Sequence, residues 1–387
     1  MGQMDRTRGR FDDVCAFIGD VYGRDLHSKR IGSLAGATLG VMTAASLAVA
    51  LIGHALAQAR GLVTKHAVKQ VDRLLSNDGI DVWSSFAHWV PHQVGTRQDI
   101  LVAMDWTAFD HDDQATLVLS LITGHGRAAP LLWLSVWKDE LRNQRNAYED
   151  TCLQRLAELL PPGCRVTILA DRGFGDQKLF AFLDRLGFGY VIRLRGNIHV
   201  TAADGQSKPA AEWVGKGGRA RKLPDARVTA KGQQVGAVVC VHAKGMKEPW
   251  CLASSDREAV AATLVNHYAK RWTIEPQFRD TKDLQFGMGL SATRIGEPMR
   301  RDRLLLISAF ATALLTLLGA VGESLGMDRL LKSNTSKTRT HSLFRQGCML
   351  YELIPNMPEH RLAPLMQTFN AAVANASVFA PAVAMAK

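Results

Sequence analysis

The chain has 387 residues, 47% hydrophobic and 21% charged, with 33 glycines and 13 prolines, a globular composition that excludes a disordered, collagen-like or coiled-coil protein. Lys plus Arg number 47 against 36 Asp plus Glu, a net charge of +11. That balance favours a polyanionic partner, nucleic acid or an anionic membrane surface, without choosing between them.

Residues 1–95 read as helical, a candidate end-DNA-binding domain. The uncharged stretch 31–59 is diluted by Gly32, Gly36, Gly40, Gly53, His54 and Gln58, which makes it a poor lipid-facing span. Leu47–Arg60 is followed by Gly61 and then by TKHAVKQVDRLLSN. In that segment Lys65, Lys69 and Arg73 fall at i, i+4, i+8 as a basic stripe, and Ala67, Val71, Leu74 and Leu75 can face a core. Helix, Gly-containing turn and basic amphipathic helix outline a helix-turn-helix, with Thr64 as N-cap; the competing reading is a surface helix with solvated lysines.

From residue 99 the period changes to that of strands. DILVAMDWTAF, TLVLSLIT and AAPLLWLSVW are separated by the turns DHDDQ and Gly124–His125–Gly126. A helix, NAYEDTCLQRLAELL, stops at Pro161–Pro162–Gly163, and the strand CRVTILAD, the helix QKLFAFLDRLGF and the strand GYVIRLRGN follow. The order β-β-β-α-β-α-β predicts an antiparallel meander followed by strands entering through helical crossovers. It matches the first part of a ribonuclease-H-like α/β mixed-sheet core over 96–195. Short strands rich in Gly, Lys and Arg predict an inserted β-subdomain at 196–255, and helical character resumes over 256–325 as the second part of the core. Residues 304–322 carry no charge and approach the ~20 residues of a bilayer span. Ser308, Thr312 and Thr316 nevertheless make one polar stripe, as in a helix buried in a soluble core. A basic segment and a helical, finally Ala-rich tail, 326–387, offer a place for dimerisation or DNA contact.

The six cysteines form no C-x-x-C pair or Cys/His cluster at zinc spacing, and the N-terminus lacks the apolar core of a secretory signal. Reduced thiols in a cytosol are the expectation. No P-loop, G-x-S-x-G or G-x-G-x-x-G occurs.

Asp105 lies near the end of the first core strand and Asp171 at the end of the fourth, and in a ribonuclease-H-like sheet these two strands are neighbours. Adjacent carboxylates repel one another unless a cation neutralises them. Magnesium, a hard oxygen-seeking ion, does so and keeps coordination sites for phosphate and water. A third carboxylate completes a clamp for two ions, and the candidate is Glu275 in YAKRWTIEPQFRDTK. On a continuous helix Tyr268, Arg271, Glu275 and Lys282 fall within about 60° of one another. Glu275 then holds metal, Arg271 and Lys282 clamp phosphate oxygens, and Tyr268 bonds or stacks. Pro276 disfavours α geometry at the residue before it, which loosens the argument for Lys282. Asp110, Asp112 and Asp113 are the substitutes for Asp105, and Asp280 and Asp283 those for Glu275. Arg193 and Arg195, Lys216 to Lys222 and Lys332 to Arg345 are further candidate phosphate contacts.

The spacing Y-x2-R-x3-E-x6-K, with Trp272 after the arginine, resembles the signature of DDE transposases of insertion sequence family four. DRGFG and MDWT resemble the second- and first-aspartate motifs of that group, so the resemblance spans about 95–290. It implies Asp105, Asp171 and Glu275 as the catalytic triad, holding two Mg²⁺ or Mn²⁺ ions. By the same resemblance Trp250 takes up a flipped base during hairpin formation and Trp272 stacks beside it. The expected activity is cleavage of insertion-sequence ends and their joining to target DNA. The partners are double-stranded DNA, as terminal inverted repeats and target, and a second copy in a homodimeric synapse. No membrane is involved, and the location is the prokaryotic cytoplasm at the nucleoid. The alternatives are a metal-dependent nuclease of the same fold without strand transfer, or a non-catalytic DNA-binding protein.

Overall fold

The computed structural model of the protein describes residues 3–229 and 231–374; the Ala-rich end of the expected tail, 375–387, lies outside the described residues.

Five helices precede the sheet: α1 (Gln3–Tyr22), α2 (Ser28–Ala44), α3 (Val49–Arg60), α4 (Thr64–Leu75) and α5 (Val82–Val94). Two glycines of the uncharged stretch, Gly40 and Gly53, serve helix packing. A Cβ at Gly53 would overlap the α-carbon of Val68, so α3 and α4 meet backbone to backbone there. Gly61 closes α3 in the left-handed region (φ 63°), a conformation that costs a glycine little. On α4, Ala67, Val71, Leu74 and Leu75 are buried while Lys65, Lys69 and Arg73 face outward. Thr64 is the first helical residue, with Val63 rather than Thr64 in the N-cap position.

The meander consists of β1 (Asp99–Phe109), β2 (Gln114–Ile122) and β3 (Ala128–Trp137). After it come α6 (Arg145–Leu159), β4 (Arg165–Ala170), α7 (Gln177–Arg185) and β5 (Gly189–Leu194). Strands β1 and β4 pair in parallel, as do β4 and β5. Parallel neighbours need a helical crossover, which α6 and α7 provide.

The insertion contains β6 (His199–Thr201), β7 (Ser207–Pro209), β8 (Arg221–Pro224), β9 (Arg227–Val228), β10 (Gln233–Gln234), β11 (Ala237–Val241) and β12 (Trp250–Ser254). It is only partly a separate unit. β10, β9, β6 and β7 form their own four-stranded sheet, whereas β12, β11 and β8 continue the main one in the order β3-β2-β1-β4-β5-β12-β11-β8. The physical reason is the open edge of β5: the almost wholly buried hairpin VVCV/WCLAS covers it with backbone pairs. The fold is thus an α/β mixed sheet of eight strands, consistent with a ribonuclease-H-like core, between helical N- and C-terminal regions.

The sheet is followed by α8 (Ala261–Lys270), α9 (Ile274–Lys282), α10 (Pro298–Ser324), α11 (Leu343–Leu353) and α12 (Glu359–Ala374). Helix α10 is long and apolar enough to cross a bilayer, but most of it is buried inside the protein. Ser308 and Thr316 of its polar stripe are themselves buried. At its N-terminal end three arginines tie the molecule together. Arg300 pairs with Asp72, Arg301 with Asp112 and Gln114, and Arg303 with Asp78 and the carbonyl oxygens of Leu75 and Ile80.

Candidate active site

Met104 is paired with Ala170, the last residue of β4, so Asp105, within β1, is followed alongside by Asp171, the first residue past the end of β4. Ala170 is paired in turn with Ile192, which brings Arg193 into the same row. Helices α8 and α9 cover this face of the sheet. The carboxyl ends of parallel strands are where such sheets carry ligands.

The loop after β4 turns tightly around Asp171. Its Oδ1 accepts the Gly173 N–H at 2.7 Å, and a Cβ at Gly173 would lie 2.9 Å from that oxygen, so glycine lets the backbone approach the carboxylate. Phe174 is buried and anchors the loop.

The third carboxylate arrives by a helix that tightens midway. Between α8 and α9 lies one tighter turn, Arg271–Thr273, entered and left with right-handed helical backbone angles, so the face expected over 268–282 is over-twisted at its middle. Pro276 is the third residue of α9, in the first turn, where its missing N–H has no intrahelical acceptor. Arg271 and Glu275 still meet. Arg271 Nη1 lies 3.2 Å from Asp105 Oδ2 and Nη2 lies 3.4 Å from Glu275 Oε1. The arginine side chain is 7% exposed, Asp105 22% and Glu275 45%. Burial, reinforced by the charge of Asp171 and opposed by Arg271, lifts the Asp105 carboxyl to about 6.

The other expected contacts divide. Tyr268 is 2% exposed and packs edge-on against Trp250, ring centroids 4.9 Å apart; its hydroxyl is not presented to solvent as a phosphate ligand. Trp272 is 50% exposed. Lys282 turns back to β1, donating to Thr107 Oγ1 at 2.9 Å and the Ala108 carbonyl oxygen at 2.7 Å, and burial lowers its pKa. Lys65, Lys69 and Arg73 lie on α4, outside the carboxylate cluster. The substitute acids have partners of their own: Asp110 with Lys138, Asp112 with Arg301, Asp280 with Arg127, and Asp283 with the backbone N–H groups of Gln285 and Phe286.

Two supporting groups have no counterpart among the residues expected from sequence. Glu149 Oε1 accepts from Trp106 Nε1 at 2.8 Å and from Arg145 Nε at 3.2 Å, directly behind Asp105. A signal for it exists, since Glu149 shares the i, i+3, i+4, i+7 spacing of the buried Cys152, Leu153 and Leu156. Glu248 pairs with Arg172 and Arg193, at 3.0 Å each; these lie on three separate segments, and no local pattern announces them.

Three carboxylates are hard oxygen donors suited to Mg²⁺ or Mn²⁺. Among the described residues no three His, Cys, Asp or Glu side chains are gathered as a metal-holding group; Arg271 stands between two of the three donors. The donor chemistry fits the ion, with the guanidinium in its place.

An aspartate within β1, a second just past the end of the neighbouring β4 and a helix-borne glutamate form a carboxylate set suited to phosphoryl transfer. Residues 132–312 match the family model of the transposase DDE domain. The matched stretch, slightly under half of the chain, contains Asp171, Arg271 and Glu275 and begins after Asp105, and it supports a DDE transposase. No curated protein matches the chain.

Proposed function

We propose that the protein is a DNA transposase of the insertion sequence family four group, which cuts the ends of its element and joins them to target DNA. The observation that supports this reading is Asp105 within β1 beside Asp171 at the end of β4, with Glu275 on the same guanidinium as Asp105. Asp105, Asp171 and Glu275 hold two Mg²⁺ or Mn²⁺ ions. Bound there, the ions supply charge neutralisation at the phosphate and in-line alignment. Arg193 and the exposed Trp272 hold the distorted DNA end. Trp250, already braced by Tyr268, supports an unstacked base where a hairpin intermediate forms. The basic stripe of α4 grips the terminal repeat, chiefly through phosphates. A second copy completes the synapse, and the setting is the cytoplasm at the nucleoid.

The test is incubation of the protein with a plasmid-borne element and Mg²⁺. Wild type is expected to release the element and to join its 3′-hydroxyl ends to a second plasmid. Asp171→Asn should bind the ends without cutting. Cutting by Asp171→Asn at the wild-type rate removes Asp171 from the site, and release without joining leaves a nuclease of the same fold.

A further inference from the structure

We infer that Arg271 is a resident counter-ion: its guanidinium occupies the place between Asp105 and Glu275, competes there with the divalent cation, and is freed for a DNA phosphate when the cation enters. This rests on the ion-holding role proposed for the three carboxylates.

Burial makes the first point. A side chain 7% exposed, beneath Trp272 and beside Tyr268 (5.9 Å from its guanidinium carbon to each ring centroid), does not present its charge to a duplex. Geometry makes the second. Charge-assisted N–H···O bonds are typically 2.7–2.9 Å. Elsewhere in this protein Arg165 takes Asp99 at 2.6 and 2.7 Å with two nitrogens, and Arg303 takes Asp78 at 2.7 Å. Arg271 gives one nitrogen to each of two acids, at 3.2 and 3.4 Å, and its buried Nε has no hydrogen-bond partner. The fork is stretched between two carboxylates and satisfies neither closely. A small divalent ion, with twice the charge and closer approach to oxygen, is the better partner for both.

The neighbouring cations do not share the task. Lys282 is bonded to Thr107 and Ala108, and Arg193 to Glu248. Arg271 is therefore the cation that keeps Asp105 and Glu275 from repelling one another before the ion arrives. The coupling is reciprocal: a phosphate that draws Arg271 away strengthens the ion site, and an ion that displaces Arg271 strengthens phosphate binding, by the same factor. DNA and metal then assemble the site together.

The experiment is Mn²⁺ titration of the full chain without DNA, followed by calorimetry and by the electron paramagnetic resonance of free Mn²⁺. Wild type, Arg271→Gln and Arg271→Lys are compared, with folding checked by circular dichroism. Arg271→Gln should bind Mn²⁺ on the order of tenfold more tightly than wild type, since a unit charge within a few ångströms of the ion is gone. Arg271→Lys, which keeps the charge but reaches one carboxylate, should fall between them and carries the test if the Gln variant does not fold. Adding an end duplex should tighten Mn²⁺ binding by wild type and leave Arg271→Gln unchanged. A purely structural role would loosen the site, so folded variants that bind Mn²⁺ equally or more weakly overturn the inference while the metal reading survives. No saturable Mn²⁺ binding by wild type or either variant sinks both.

Discussion

Lys282 Nζ donates to the Ala108 carbonyl oxygen at 2.7 Å, and so fastens the last turn of the helix that bears Glu275 to the strand that bears Asp105. The ammonium also lies 4.6 Å from the Phe109 ring centroid. This geometry makes Lys282 a positioning residue. Lys282→Met should lower the rate of end cleavage with little change in end binding. It should also cost roughly 1–3 kcal/mol of stability through the acceptors left unpaired. The opposite pattern in urea unfolding and gel-shift measurements, weak binding at full stability, would return Lys282 to the phosphate.

Asp302 is buried on α10, where its carboxylate accepts the Ser135 N–H at 3.1 Å. Burial pushes it up to about 7, against the pull of Ser135, Arg301 and Arg303; the Cys152 thiol is the other titratable group facing it. A carboxyl whose folded value lies above its unfolded one binds more protons in the native state. Its contribution to stability is therefore greatest below the unfolded value near 4 and is lost as pH rises through about 7. Asp302→Asn, which keeps an oxygen for Ser135, should remove a few kcal/mol of that decline. Urea unfolding at pH 5 and pH 8 measures it; equal pH slopes in the two proteins would refute it.

Helices α10 and α11 meet through Gly319 and Gly347: a Cβ on Gly347 would overlap the carbonyl oxygen of Leu315, and one on Gly319 that of Leu343. Gly347→Ala must therefore separate two backbones and is expected to destabilise by roughly 1–3 kcal/mol or more. A melting temperature unchanged from wild type would contradict the close packing of the apolar helix.

The stripe Lys65, Lys69 and Arg73 faces outward along α4. Replacing all three by Gln should weaken end binding and lower the slope of log K against log salt by roughly 3, near 0.9 for each phosphate no longer neutralised. Fluorescence anisotropy between low and moderate salt reads this directly, and an unaltered slope would assign DNA recognition to another surface.

Much of the site was legible because its signals are local. Period-2 runs and the turns between them located the meander, and the aspartates of its first strand and of the turn after β4 were visible in the strand-like runs MDWT and VTILAD. The Y-x2-R-x3-E-x6-K spacing survives for its first three members: Tyr268, Arg271 and Glu275, three and four residues apart, meet across the tight turn. Lys282 lies further along α9 and bonds to β1 instead. The insertion was legible as strands but not as sheet partners.

The nature and order of the elements, the acids of β1 and of the turn after β4, and the basic face of α4 follow from residue type and spacing, which act over one or two turns of chain. That Arg271 separates Asp105 from Glu275, that Glu248 meets Arg172 and Arg193, and that β12 closes the edge of β5 emerged only from the assembled sheet. Contacts between segments tens to more than a hundred residues apart arise when strands find register and helices find grooves, and no local pattern of side chains carries that information.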